Sequence, residues 1–308
     1  MKHRCLSCQT LGADCQHDYH AECAIKLFGT EFPPTVQFST PDIIREAQKM
    51  VGKISVSGVQ PKLSVAYDRK IFQLIVVEKG GEYILKPQTE RFPMLPENEN
   101  LCMRIASLCG TDVPAHGLIP LADKRFAYLV KRFDRTDEGF KFQQEDFQQL
   151  LEIDDKYDGS YERMANIIRK HSCNPASDLF KLYERAILFF VLGNGDAHLK
   201  NFSLIRSRSA GYRLSPAYDI VSSRLVLSEE REEMCLSIQG KRNRLSRKDF
   251  IRLAQHLGLA EEQCNHISDR MKDFQPEIEG MIKDSFLSEQ LKSRFLELFK
   301  ERMKRMNI

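Results

Sequence analysis

No stretch of this 308-residue chain approaches the ~20 consecutive apolar residues that cross a bilayer. The longest apolar clusters, Ala186 to Leu192 and Leu74 to Val77, are of core size. The opening MKHRCLSC is polar and cysteine-rich, which is not a secretory pattern. The chain is therefore expected to be soluble and cytoplasmic. An excess of one charge sign is also missing, since 46 basic residues face 43 acidic ones for a net charge of +3. That excludes a dedicated nucleic-acid binder, which needs broad basic surface to displace counterions, but leaves room for a local basic patch. The nine cysteines are odd in number, and Cys102, Cys109, Cys173, Cys235 and Cys264 are scattered. This reads as reduced, buried thiols and not as a disulfide framework. Internal repeats and long low-complexity segments are absent as well.

What is present divides into three stretches. Residues 1–33 form a short Cys/His-rich segment. Cys5 and Cys8 make a C-x-x-C, His20 and Cys23 an H-x-x-C, with Cys15 and His17 between. Two close pairs separated by a short loop suit tetrahedral zinc, each pair taking two corners. The alternative is a small hairpin whose cysteines pack as apolar groups. Residues 34–134 read as a small β-rich lobe. Thr40-Pro41 caps and opens a helix, Gly80-Gly81 marks a hairpin, and Pro96-Glu97-Asn98 opens a helix to about Cys109. Residues 135–308 read as a larger, all-helical lobe but for one short hairpin, Lys200 to Leu204 with Tyr212 to Leu214. Ser177 is expected to cap a central buried helix running to Leu192. The polar stretch 154–160 reads as a surface loop. The fold class is α+β with two lobes, and a chain this long can bury a core and form a cleft between them.

The chemistry concentrates in G-N-G-D-A-H-L-K-N-F, Gly193 to Phe202. An Asp followed five residues later by an Asn, directly after a buried helix, is the spacing of a protein-kinase catalytic loop. Asp196 would receive or orient the proton of an attacking hydroxyl. Asn201 would reach a metal ion on the same phosphates, so both must project from one rigid turn. Asp219, in S-P-A-Y-D, follows a hairpin where kinases place their magnesium carboxylate. Ser57-Gly58 sits in I-S-V-S-G-V-Q-P-K-L, a loop whose backbone N–H groups could cradle phosphates; it has no G-K-[ST] and is not a Walker A loop. Lys86 ends a strand and Glu99 lies on the next helix, the order in which kinases pair a phosphate-binding lysine with its orienting glutamate. Each part alone has an ordinary structural reading, as a turn, a cap or a solvated charge. All six in kinase order make independent coincidence a poor account.

The motifs SVSGVQPKL, YILKPQ, ENENLCMRIA, VKRFDR, QQEDFQQL, GNGDAHLKNFSL and YRLSPAYDIVSS resemble those of the HipA family of serine/threonine toxin kinases over roughly residues 50 to 300. The resemblance implies a bilobed protein-kinase-like fold using ATP and magnesium. It implies that Ser57, Gly58, Val59, Gln60, Pro61 and Lys62 cover the phosphates, that Lys86 contacts them and Glu99 orients it. The backbone of Lys131, Arg132 and Phe133 would bind adenine as the hinge. Asp196 would be the base, His198, Asn201 and Tyr218 would line the nucleotide site, and Asn201 and Asp219 would hold magnesium. Ser55 and Ser57 would be autophosphorylated. The chain looks like the compact HipT branch, in which a HipS-like small protein replaces a missing N-terminal subdomain. A HipB-like helix-turn-helix antitoxin would be a second partner, with DNA reached only through it. The implied substrate is a protein serine, with aminoacyl-tRNA synthetases as the family's targets. Two alternatives stay open: a small-molecule kinase, since antibiotic kinases also use D-x-H-x-x-N, and a regulatory pseudokinase acting as a binding module.

Overall fold

A computed structural model describes residues 3–12, 15–16, 18–51, 60–136, 139–207, 211–227 and 232–308. The chain divides into two compact units. One comprises Met1–Leu101, Pro114–Phe140 and Asp284–Ser288; the other comprises Cys102–Val113, Lys141–Lys283 and Glu289–Ile308. Residues 1–33 are thus no unit of their own, and the division is not a single cut at residue 134. Among the described residues no helix is long and apolar enough to cross a membrane.

The first unit is built on a five-stranded antiparallel sheet. Its strands run in the order Gln73–Val76, Leu63–Asp68, Tyr83–Pro87, Phe126–Lys131, His116–Pro120. Leu63, Val65 and Tyr67 alternate with more exposed neighbours, the period-two pattern of a sheet with one buried face. Tyr83–Pro87 is the central strand and is buried almost throughout. The N-terminal segment supplies part of the core: Cys5, Tyr19, Leu27 and Phe28 pack with Val65, Tyr83, Leu118 and Leu129. The Tyr83 hydroxyl donates to the Leu27 carbonyl at 3.0 Å, which ties the helix Ala21–Phe28 to the sheet. The helix Leu95–Leu108 opens with Pro96 in its first turn, where a missing N–H is harmless. Gln88 Oε1 accepts the Leu95 N–H at 3.0 Å, so the start of this helix is tied to the end of the central strand.

The second unit gathers around the helix Pro175–Leu192, which is buried on most sides as its apolar composition predicts. Helices Tyr161–His171, Arg247–Leu257 and Glu289–Met306 pack against it. The unit is not all-helical. Gln144–Asp146 joins Ser203–Ser207 and Gly211–Leu214 in a three-stranded antiparallel sheet, because the expected hairpin leaves an edge that the Q-E-D segment fills. Asp146 then caps the next helical turn, accepting the Gln149 N–H at 2.9 Å. Two helix starts also lie earlier than expected. Asn174, not Ser177, caps the central helix by accepting the Ser177 N–H at 3.3 Å, with Pro175 at the first helical position. Thr40 is already the first residue of the helix Thr40–Val51, and Asp42 reaches back to the Ser39 N–H at 2.9 Å.

Candidate active site

In the second unit the G-N-G-D segment begins where the central helix ends. Gly193 takes φ 69°, the left-handed conformation of a helix-stopping glycine, and a Cβ there would lie 2.6 Å from Leu298 Cδ2. Gly195 N–H donates to Ser223 Oγ at 2.9 Å, which anchors the loop before the aspartate. Asp196 is exposed. Its carbonyl accepts the His198 N–H at 2.8 Å, and its carboxylate Oδ1 accepts the Tyr157 hydroxyl at 3.1 Å. Among the described residues its other carboxylate oxygen has no hydrogen-bond partner. Leu199–Asn201 forms one 3-10 turn that carries Asn201 back against His198. Asn201 Oδ1 accepts the His198 N–H at 3.0 Å, and Asn201 Nδ2 donates to Asp219 Oδ2 at 3.0 Å. A single run of hydrogen bonds therefore links residues 196, 201 and 219. Asp219 has φ 61°, a conformation that Asp tolerates better than most residues. Tyr218 braces the loop: its hydroxyl donates to the Lys200 carbonyl at 2.8 Å and lies 2.6 Å from Ser203 Oγ.

Burial, adjusted by the charges around this loop, holds two groups neutral. Burial pushes the Tyr157 phenol up, and the Asp196 carboxylate raises it further, so Tyr157 remains a donor. Burial pushes the His198 imidazole down, and the Lys156 ammonium adds to this, against a partial pull from Asp196 and Asp219. His198 is thus neutral at pH 7, and its buried Nδ1 has no partner among the described residues. Its ring meets Tyr157 edge-on at 5.6 Å.

In the first unit Lys86 and Glu99 meet as expected. Lys86 Nζ donates to Glu99 Oε1 at 2.7 Å, with the two side chains 11% and 1% exposed. Lys86 pairs across the sheet with Tyr128, and its ammonium lies 5.7 Å from the Tyr128 ring centre. Of the expected phosphate loop, Ser55, Ser57, Gly58 and Val59 lie outside the described residues. Gln60 Nε2 donates to the Pro87 carbonyl at 3.1 Å, next to Lys86; Pro61 is half-buried and Lys62 exposed. At the expected hinge, two of the three backbone N–H groups are engaged within the first unit. The Lys131 N–H donates to the Ala115 carbonyl and the Arg132 N–H to the Glu82 carbonyl, both at 2.8 Å. Sheet pairing engages these two amides, so neither is available to donate to adenine. The R-F-D-R motif is a local clamp around Phe133. Arg132 holds Asp134 through two bonds of 2.8 and 2.6 Å. Burial alone would raise the Asp134 carboxyl, but Arg132 and Arg135 outweigh it and hold it below its ordinary value.

Cys5, Cys8, His20 and Cys23 also converge, with one ligand atom from each lying within 4.8 Å of all the others.

Residues 54–278 match the model of the HipA-like C-terminal domain. The chain belongs to this family. Over 205 residues it is 38% identical to a Haemophilus influenzae protein named "Putative kinase", covering 62% of this chain and 59% of that one. It is 29% identical over 192 residues to the serine/threonine-protein kinase toxin HipA of Shewanella oneidensis, covering 55% of this chain and 43% of that one. The matched stretch thus spans about half the length of these relatives. Among solved structures, the HipA of Shewanella oneidensis, in a complex of HipA, HipB and operator DNA, matches with a TM-score of 0.69 at 22% identity. That match covers 88% of this chain and 71% of the other and shows a kinase-like fold.

Tyr157 was missed by sequence reasoning. It stands in the polar D-D-K-Y-D-G-S stretch, read as plain surface loop, and the lone aromatic among charges was the only available signal.

Proposed function

We propose that the chain is an ATP-dependent protein serine/threonine kinase of the HipA toxin type, acting in the cytoplasm. The observation that carries this reading is the hydrogen-bonded run from Asp196 through His198 and Asn201 to Asp219, with Asp196 exposed. A merely structural Asp-Asn turn needs no second carboxylate from 18 residues downstream. Asp219 offers an anionic oxygen and Asn201 an amide oxygen, hard donors that fit magnesium, which leaves its remaining positions to phosphates and water. Bound there, the ion would neutralise charge on the phosphates. Asp196 takes the proton of the incoming serine hydroxyl as that oxygen bonds to the γ-phosphorus and the bond to the departing ADP oxygen breaks. Tyr157 holds one carboxylate oxygen and leaves the other to the hydroxyl. Lys86, oriented by Glu99, meets the phosphates in the manner of kinases.

Ser55 and Ser57 are the autophosphorylation sites in this reading. A phosphoserine adds about −1.5 to −2 charge in a loop meant for ATP phosphates, and so turns the enzyme off. An aminoacyl-tRNA synthetase is the proposed substrate, and a HipB-like antitoxin with a HipS-like small protein the proposed partners. The solved HipA complex with HipB and operator DNA supports an antitoxin partner by analogy.

The test is labelled ATP with magnesium, on dephosphorylated wild type beside Asp196→Ala, followed by phosphopeptide mapping. Label on Ser55 or Ser57 is expected to fall on the order of 10²- to 10⁴-fold in the variant, the usual contribution of a positioned base. Nucleotide binding without any protein label would overturn the protein-kinase reading in favour of a small-molecule substrate.

A further inference from the structure

The N-terminal Cys/His segment lies outside the matched family region and needs its own account. We infer that Cys5, Cys8, His20 and Cys23 bind one structural zinc ion, and that this knuckle steadies the Glu99-bearing helix through Leu6, Ser7, His116 and Asn100. The second half rests on the kinase reading of Lys86 and Glu99; the first does not.

The ligand chemistry is that of a closed structural site. Zn–S bonds of about 2.3 Å and Zn–N bonds of about 2.0 Å at tetrahedral angles set the ligand atoms roughly 3.5–3.8 Å apart. Here one atom from each of the four residues falls within 4.8 Å of the rest, so small adjustments close the shell. Cys8 Sγ lies 3.2 Å from His20 Nδ1. The other side of that ring is fixed by Gly12: a Cβ at this position would stand 2.3 Å from His20 Nε2. Glycine at position 12 thus lets the ring lie flat with Nδ1 turned to the sulfurs. Polar groups also approach the sulfurs. The His20 N–H approaches Cys5 Sγ at 3.5 Å, the Thr10 hydroxyl lies 3.0 Å from Cys8 Sγ, and Cys23 sits in the first turn of the helix Ala21–Phe28. Cys5 is fully buried in the core of the first unit, where an isolated thiolate would be costly and a zinc-bound one is neutralised. A disulfide would pair two of the three sulfurs and strand the third, and Cys5, Cys8 and Cys23 are all free thiols.

The knuckle is fastened to the sheet edge and to the helix. Leu118 N–H donates to the Leu6 carbonyl at 2.9 Å, and Ser7 Oγ donates to the His116 carbonyl at 3.0 Å. A Cβ on Gly117 would lie 3.3 Å from Ser7 Cα, so the close approach relies on glycine there. His116 Nδ1 meets Asn100 Oδ1 at 2.8 Å, and Asn100 Nδ2 makes a long contact of 3.5 Å to the Leu6 carbonyl. Asn100 follows Glu99 directly on the helix. The turn between Cys5 and Cys8 therefore grips the helix one residue from the carboxylate that holds Lys86.

The experiment uses the full chain, purified without chelator from zinc-supplemented culture. Metal analysis should find one zinc per chain, and cobalt exchange should give the visible absorption of a tetrahedral cobalt–thiolate site. Cys8→Ser should lose the metal, while Cys15→Ser and Cys173→Ser should keep it. A non-hydrolysable ATP analogue should bind on the order of tenfold more weakly to zinc-free protein, a typical coupling between sites. Asn100→Ala should keep its zinc and share that weakening. Wild type without zinc, two thiols lost to a disulfide, or metal loss in Cys15→Ser would overturn the assigned site. Equal nucleotide affinity with and without zinc would overturn the brace. Zinc-loaded wild type that binds no nucleotide would instead count against the kinase reading and leave the metal site standing.

Discussion

Two glutamates two residues apart on one helix make opposite electrostatic predictions. Glu99 is paired with Lys86, whereas Glu97 is buried with its Oε2 unpartnered. Burial pushes the Glu97 carboxyl from 4.5 to about 7. The folded state thus binds this proton more tightly than the unfolded chain, so the associated stability is fully present below about pH 4.5 and is lost as the pH rises through 7. At 1.36 kcal/mol per pH unit, the penalty at pH 8 is on the order of 3 kcal/mol. Glu97→Gln keeps the shape and removes the titration. It should therefore be more stable than wild type at pH 8, by roughly 5 °C in Tm for a chain of this size, and gain little at pH 5. The chain has no tryptophan, so far-UV circular dichroism melts in matched ionic strength are the natural assay. A variant that shifts Tm equally at both pH values, or only at pH 5, would refute the argument from burial.

The paired glutamate should behave in the opposite sense. Glu99→Gln removes the carboxylate from a buried ammonium and should lower stability by about 3–5 kcal/mol, with Lys86→Met in the same chain restoring most of it; denaturant titration of the three variants checks this. Lys86→Met alone strips the buried Glu99 carboxylate of its ammonium, so it should also lower stability by about 3–5 kcal/mol in the same denaturant titration, and should weaken binding of an ATP analogue by at least tenfold, read by calorimetry. Tyr157→Phe deletes one neutral-to-charged hydrogen bond to Asp196, worth about 1–2 kcal/mol, and should slow phosphate transfer roughly five- to thirtyfold without changing KM for ATP.

Much of the candidate site was legible because its parts are close in sequence or are set by local geometry. The Asp196 and Asn201 spacing spans a single turn, and a glycine at position 193 is the ordinary stop for a helix. The Lys86 and Glu99 pairing could be read from a strand followed by a helix, the order that brings a strand's end beside the next helix's first turns. At the expected hinge, strand pairing, not composition, decides which amides are engaged: Arg132 bonds to Glu82 and Lys131 to Ala115. The Q-E-D motif offered no hint of its role as a third strand and helix cap, since edge pairing depends on the partner's free side.

The sequence by itself determined the order of the elements and which residue types were available for chemistry. Periodicity and turn residues act over a few positions, and they placed the buried helix, the Gly-Asp turn after it and the β-rich first stretch. Tertiary structure alone decided the meetings across long separations. Tyr157 reaches Asp196 from 39 residues away, and Leu6 receives a backbone bond from Leu118. The N-terminal segment becomes part of a core instead of a tail. Such contacts follow from which faces can be packed to density and which polar groups must find partners once buried, conditions that no local stretch of sequence contains.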